Sequence, residues 1–321
     1  MGILDRVKEE REKRLAQGAV ESPTGLPPEP VPYPTHALAV VQANLVAARA
    51  KGDQEEVRRQ LGEAVRITNA LLGDFTATIG YLRESLEVGR LEDDQNLDHL
   101  LGALVDVERR RGDPAAAASW CAEALANNAS YGHSPLARAG WLCSAGEIQW
   151  WQGDLPSARR SFEEVLSIGM ARRQEPTWKQ GWDWPVGGAL ARLAGLDLEE
   201  MNVAGAQVRL RDAVELAAKL DVIVDAETGV TAFCICVAIG VANASGQFAR
   251  ALSLAACLRE LFPYELSTAD WTARLRRWME PARLVSSGLD REQRIAATAE
   301  GLRMSRDGLH VYLLEGLRRS G

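Results

Sequence analysis

A helix, a tight turn containing Gly-Asp or a near equivalent, and a second helix recur along this chain. The clearest copies are KGDQEEVRRQLGEAV from Lys51, RGDPAAAASWCAEAL from Arg111 and QGDLPSARRSFEEVL from Gln152. Degenerate copies begin at Glu200 and Ser245, and a partial copy begins at Leu72. A single helix pair cannot bury its own apolar face, so these copies are expected to stack on one another.

Three positions of the repeat have a physical role. The turn residue is expected to adopt the left-handed conformation that ends the first helix, and the Asp after it is expected to cap the second helix. Five residues after the turn, a small residue lets the two helices approach closely, and nine residues after it a medium or larger one fills the seam. The turn residues are Gly52, Gly112, Gly153, Met201 and Gly246, the small ones are Val57, Ala117, Ala158, Ala206 and Ala251, and the seam residues are Leu61, Cys121, Phe162, Leu210 and Ala255.

This pattern resembles the tetratricopeptide repeat. The resemblance implies an all-α fold, a tetratricopeptide-like right-handed superhelical solenoid of antiparallel helix pairs. We place the repeats at residues 36–266 and a set of capping helices at 267–321. Apolar residues recur every three to four positions from residue 36 onward, and no segment alternates with the period of two that a half-buried strand requires.

The N-terminal region has a different composition. Residues 1–19 are predicted to form a helical arm, with Ile3, Leu4, Val7 and Leu15 on one side of a short amphipathic helix. A linker at 20–35 follows, and the segment VESPTGLPPEPVPYPTH contains six prolines. Proline at this density forbids a helix and favours an extended tether. The arm is therefore expected to be detachable and dispensable for folding.

Charge, hydropathy and cysteine spacing argue against several classes of protein. The net charge is −7, so direct binding to nucleic acid or to an anionic membrane is not expected. The most apolar stretch, VTAFCICVAIGVANA, is too short to span a bilayer and predicts a buried helix. The N-terminus lacks the apolar core and cleavage site of a signal peptide. The five cysteines have neither framework nor metal-ligand spacing, which indicates buried reduced thiols in a cytoplasmic protein without a metal or cofactor.

Three stretches of the second half are similar to one family of regulators. They are WDWPVGGALARLAGLDLEE, ETGVTAFCICVAIGVANASGQFARALSLAACLREL and DREQRIAATAEGLRMSRDGLHVYLLEGL. They resemble the C-terminal helical-repeat region of large LuxR-type ATPase transcription activators and of related antibiotic regulators, which are bacterial. The likeness covers roughly Trp141 to Leu317, and it implies that Ser305 caps the final helix while Tyr312 and Leu313 pack that helix onto the stack. The chain has no G-x-x-x-x-G-K-[ST] phosphate loop, so the resemblance implies only the sensing or docking module.

No catalytic motif is found, and we expect no enzymatic activity. The four histidines stand alone, and neither G-x-S-x-G nor G-x-G-x-x-G occurs. The functional surface is expected on the first helices of the repeats, whose inner positions lie two, three, six, ten and thirteen residues before the turn. Together with two tryptophans of the long connection RRQEPTWKQGWDWP, these positions give the candidate partner-binding residues His99, Asp106, Arg109, Arg110, Glu147, Trp150, Trp151, Trp178, Trp182, Glu199 and Asn243.

The leading hypothesis is a non-enzymatic adaptor or regulatory scaffold that binds a partner protein or peptide in the concave groove. Arg109 and Arg110 would clamp a carboxylate, and Trp150 or Trp151 would form an apolar wall. The alternative is a sensor that binds a small-molecule effector in a Trp-lined pocket. Five glycines at inner positions either admit a ligand close to the helices or permit tight curvature. A homodimer is also compatible with the sequence.

Overall fold

The computed structural model describes residues 34–91, 97–130, 134–172, 183–219, 230–261 and 289–319. These ranges are almost entirely helical and contain no strand, which confirms the all-α prediction. The predicted arm, most of the linker, and Trp178 and Trp182 lie outside the described residues. The chain divides into two compact units, Met1–Tyr81 and Leu82–Gly321.

The described part of the first unit is a helical hairpin with an extension. Helix α1 is Pro34–Lys51, α2 is Gln54–Arg66, and a π-helical turn covers Ile67–Leu72. Helix α3, Phe75–Leu91, crosses the boundary between the units. Helix α1 therefore begins two residues before the predicted start of the repeats, because a proline is well accommodated in the first helical turn.

The second unit is a succession of helices, several of which are joined by short turns within the described residues. Its described members are α4 (Asp98–Arg111), α5 (Pro114–Ser130), α6 (Pro135–Gln152), α7 (Leu155–Ala171), α8 (Asp183–Glu199), α9 (Val203–Lys219), α10 (Val230–Ala244), α11 (Phe248–Leu261), α12 (Arg291–Arg303) and α13 (Arg306–Arg319). From α4 to α11, each helix packs against the next one in the chain. The first helices α6, α8 and α10 also pack against one another, with α8 in the middle.

The predicted turns are confirmed at each described copy. The backbone φ angle is positive at Gly52, Gly73, Gly112, Gly153 and Gly246, and also at Met201. Met201 is the one non-glycine residue with a positive φ, 59°, in the described part of the chain, so the repeat imposes the left-handed turn on an unfavourable residue. The side chains of Asp53, Asp74, Asp113, Asp154 and Asn202 each accept a hydrogen bond from the backbone N–H three residues later.

The small residues five positions after each turn are buried. Ala117, Ala158, Ala206 and Ala251 are fully buried, and Val57 is nearly so. The apolar segment of α10 is confirmed as a buried helix, since every residue from 233 to 242 is buried. The five cysteines are also buried and form no disulfide. The regular turns and small contacts thus build one continuous apolar core from α6 to α11.

The last two helices pack back onto the repeats through glycines. Helix α12 lies against α11, and α13 lies against α9. A Cβ added at Gly301 would lie 2.0 Å from the carbonyl oxygen of Ser253, so only glycine permits this approach of α12 to α11. Ser305 accepts a hydrogen bond of 3.1 Å from the backbone N–H of Gly308, and Leu313 is buried. The cap and the packing implied for this segment are therefore present.

Candidate functional site: a charged row on the first helices

One buried carboxylate joins three first helices of the second unit. Glu147 of α6 lies between Arg109 of α4 and Arg192 of α8. The Arg109 Nη1 atom is 2.9 Å from Glu147 Oε2, and Arg192 donates to the other carboxylate oxygen through Nε. Each of the three side chains is less than one-fifth exposed. Helices α4, α6 and α8 are thus connected at these positions by charge-assisted hydrogen bonds.

The two arginines determine the charge state of Glu147. Burial alone would raise the pKa of this carboxyl group, because desolvation disfavours the ionised form. The guanidinium groups of Arg192 and Arg109 outweigh that effect and hold the pKa below its ordinary value. Glu147 is therefore ionised at neutral pH, and the row Arg109–Glu147–Arg192 carries a net charge of +1.

An aromatic pair continues the row toward α10. The guanidinium carbon of Arg192 lies 5.4 Å from the ring centroid of Phe233, within the range of a cation–π contact. Phe233 in turn meets Trp150 of α6 edge to face, with centroids 6.0 Å apart. These two aromatic residues come from helices on either side of α8, which carries the buried small residues Gly188 and Ala191. Trp150 is 2% exposed, so its ring is part of the core.

These contacts correct one expectation and narrow another. Arg109 is expected to present its guanidinium to a ligand carboxylate, but that group is held by the chain's own Glu147. The sequence leaves open whether Trp150 or Trp151 forms an apolar wall; Trp150 is buried against Phe233 of α10, whereas Trp151 is partly exposed. Sequence reasoning missed Arg192, although it is the one basic residue in the apolar stretch WDWPVGGALARLAGL.

The positions two residues before the turn behave differently. Arg110 of α4, Trp151 of α6 and Glu199 of α8 occupy this equivalent position, and each is partly exposed. Arg110 Nη2 donates a 2.8 Å hydrogen bond to the exposed carboxylate of Asp106. Oε1 of Glu199 is shielded from solvent and has no hydrogen-bond donor within the described ranges. We call Arg110, Trp151 and Glu199 the rim row.

Of the other predicted residues, Asn243 is partly exposed and His99 lies in the first turn of α4.

A second buried carboxylate, that of Asp197, has a different structural role. Asp197 of α8 accepts hydrogen bonds of 2.8 Å from Arg159 of α7 and from Arg209 of α9. It lies four residues before its turn, the position that Gln149 occupies in the preceding pair. Gln149 accepts a hydrogen bond from Ser161 of its own pair. This position therefore joins a first helix to second helices and serves the packing of the repeats.

A cavity of about 500 Å³ lies where α11 meets the two C-terminal helices. Its polar lining includes Arg250, Glu300, Tyr312 and Glu315. Ser253 Oγ and the Tyr312 hydroxyl both donate to Glu300 Oε2, at 2.7 and 3.3 Å. The Arg250 guanidinium lies over the Tyr312 ring and donates to the carbonyl oxygens of Tyr312 and Leu313.

The thiols near the Arg109–Glu147–Arg192 row are buried and protonated. Burial raises the pKa of Cys121 and of Cys143 to about 12, so both remain protonated at neutral pH. Within the described ranges, no cluster of His, Cys, Asp and Glu is arranged to hold a metal ion. No described helix is both long and apolar enough for a bilayer crossing.

No protein-family model matches this chain, and the comparison with curated proteins also returns no match.

Proposed function

We propose that this protein is a non-enzymatic adaptor, a right-handed tetratricopeptide-like solenoid that binds a partner protein or peptide along its first helices. The observation that carries the proposal is the rim row. Three successive first helices present a cation, an aromatic ring and a carboxylate, each partly exposed, at the same repeat position. An extended peptide that runs across α4, α6 and α8 would meet these groups in order.

The buried row Arg109–Glu147–Arg192 is not part of this binding surface, but it aligns the helices that carry the rim row. The Arg109–Glu147–Arg192 bonds hold α4, α6 and α8 beside one another, and the spacing between Arg110, Trp151 and Glu199 depends on that alignment. Glu199 has a shielded oxygen that a donor from the partner would satisfy. Such a partner would carry an acidic group for Arg110, an apolar side chain for Trp151 and a donor for Glu199. The resemblance to the sensor region of LuxR-type ATPase activators is consistent with a docking role.

A random-peptide library selected against the purified full-length protein tests this function. Selected peptides should bind the parent, and binding should weaken at least tenfold when Arg110 or Trp151 is changed to alanine, as anchors of this type commonly do. Matched controls are Arg160→Ala and Met170→Ala on the outer part of α7, where both side chains are exposed. Peptides that bind all four variants equally, or a selection that enriches no peptide, would contradict the proposal.

One observation favours a small-molecule effector as a second candidate. The cavity of about 500 Å³ beside α11 has the volume of a small-ligand site and combines an aromatic ring with several polar groups. Effector binding there would lie away from Trp150, whose ring is buried. A thermal-shift screen of a metabolite library, repeated with Tyr312→Phe and Glu315→Gln, tests this alternative. A shift that both variants retain would place the ligand elsewhere.

A further inference from the structure

The cavity of about 500 Å³ beside α11 is lined by groups of both charge signs. One part of its lining is residues 246–250, which form the turn before α11 and the first turn of that helix. Another part includes Glu300 of α12 and Glu315 of α13. A ligand in this cavity therefore meets the beginning of one helix and the carboxylates of two others.

Helix α11 begins with a different residue in the cap position. In the other copies this position holds a short side chain that accepts a hydrogen bond from the backbone N–H three residues later: Asp53, Asp113, Asp154 and Asn202. Here it holds Gln247, whose Oε1 atom accepts a 3.4 Å hydrogen bond from the Arg250 guanidinium. The first N–H groups of a helix have no acceptor inside the helix, so those of Phe248 and Ala249 can donate to an anionic group in the cavity.

Two carboxylates supply the opposite charge. Glu300 Oε2 accepts hydrogen bonds from Ser253 Oγ and from the Tyr312 hydroxyl, and Oε1 is left for a further donor. Glu315 is exposed and has no ion-pair partner within the described ranges. A cationic group in the cavity would form charge-assisted hydrogen bonds with either carboxylate.

The cavity also has an aromatic lining. Phe248 is partly exposed, and the Tyr312 ring lies under the Arg250 guanidinium, 5.6 Å from its central carbon. A Cβ added at Gly316 would overlap that guanidinium, so glycine is required where Arg250 joins α11 to α13. The apolar part of a ligand would pack against the accessible ring of Phe248.

We propose that this cavity binds an amino acid with an apolar side chain. The carboxylate of the amino acid accepts from the N–H groups of Phe248 and Ala249, the ammonium group donates to Glu300 or Glu315, and the side chain packs on Phe248. A simple anion would be repelled by the two carboxylates, and a simple cation would leave the helix N–H groups without an acceptor. The proposal rests on the effector role given above as the second candidate function, names the ligand class for it, and is independent of the rim row.

Isothermal titration of the full-length protein with three matched probes tests the ligand class. L-Phenylalanine carries both charges, 2-phenylethylamine carries only the ammonium group, and 3-phenylpropionate carries only the carboxylate. Phenylalanine should bind roughly tenfold or more tightly than either analogue, because each analogue lacks one set of charge-assisted hydrogen bonds. Absence of phenylalanine binding, or equal binding of either analogue, would overturn the proposal.

Two variants test the location. Gln247→Asp restores the cap of the other copies, so it should raise the melting temperature and yet weaken phenylalanine binding roughly tenfold, since its carboxylate takes the N–H groups that the ligand needs. Glu315→Gln should also weaken binding, whereas Glu163→Gln, at an exposed position of α7, should not. Phenylalanine binding that Gln247→Asp and Glu315→Gln both leave unchanged would overturn the proposal. A neutral metabolite whose thermal shift is lost in Tyr312→Phe would retain the effector role and overturn the amino-acid class.

Discussion

Helices α1 and α10 both lack charged residues over most of their length, but their surroundings differ. Helix α10 contains no charged residue, and α1 contains none before Arg49. Every residue from 233 to 242 of α10 is buried, because α8, α9 and α11 all pack against it. In α1, the buried positions are Val41, Leu45 and Ala48.

The comparison shows that the apolar content of a repeat helix is related to the number of neighbouring helices that it needs to bury its apolar side chains. A helix that is apolar all round is stable only when neighbours cover it from several directions. Helix α10 has these neighbours among the described helices, whereas α1 leaves Val40, Ala43 and Val46 exposed. The following substitutions test this contrast at matched positions.

The largest difference is expected for an introduced charge. Val237→Asp places a carboxylate at a fully buried position of α10, with a cost of several kcal/mol that is comparable to the stability of a whole domain. Val46→Asp in α1 introduces the same group at an exposed position and should cost about 1 kcal/mol or less. Chemical denaturation followed by circular dichroism measures both. Equal losses would mean that the two helices have equivalent surroundings.

A similar contrast exists between two carboxylates at equivalent positions. Glu147 and Asp106 both lie six residues before a turn, but Glu147 is buried between two arginines and Asp106 is exposed. Glu147→Ala should cost about 3–5 kcal/mol, since Arg109 and Arg192 would keep buried charges without their partner. Asp106→Ala should change the free energy of unfolding by less than about 0.5 kcal/mol. Two small effects in denaturant titrations would show that the Glu147 carboxylate is hydrated.

Two glycines provide the next comparison. Gly301→Ala should cost about 1–3 kcal/mol, since the new Cβ would overlap the Ser253 carbonyl oxygen and force α12 away from α11. Gly62→Ala in α2 has no heavy atom within 4 Å of the new Cβ and should stabilise that helix by about 0.5–1 kcal/mol. Thermal melting should therefore move in opposite directions. Two increases in melting temperature would indicate that the C-terminal helices are loosely attached.

The smallest expected effect is a pH dependence. The pKa of Glu147 in the folded protein is held below the ordinary value of 4.5. The stabilisation from this group is therefore complete above about pH 4.5 and is lost as the pH falls through the folded pKa. The difference in unfolding free energy between the parent and Glu147→Gln should be constant from pH 6 to 8 and shrink in acid. A difference that grows in acid would contradict the assigned direction.

The repeat was predictable because its signals are local. The Asp caps and the left-handed turns, including the one at Met201, depend on residues adjacent in the chain. The pairing of Glu147 with Arg192 depends on residues 45 positions apart, on helices whose relative rotation no local pattern encodes. For the same reason, the sequence could place Trp150 and Trp151 on one helix but not decide which of the two is buried.

Amide hydrogen exchange in the full-length protein tests the central comparison most directly, because it reports the local opening of α1 and α10 in one experiment. The account predicts slow exchange across α10 and faster exchange in α1. Exchange in α1 that is as slow as in α10 would contradict it.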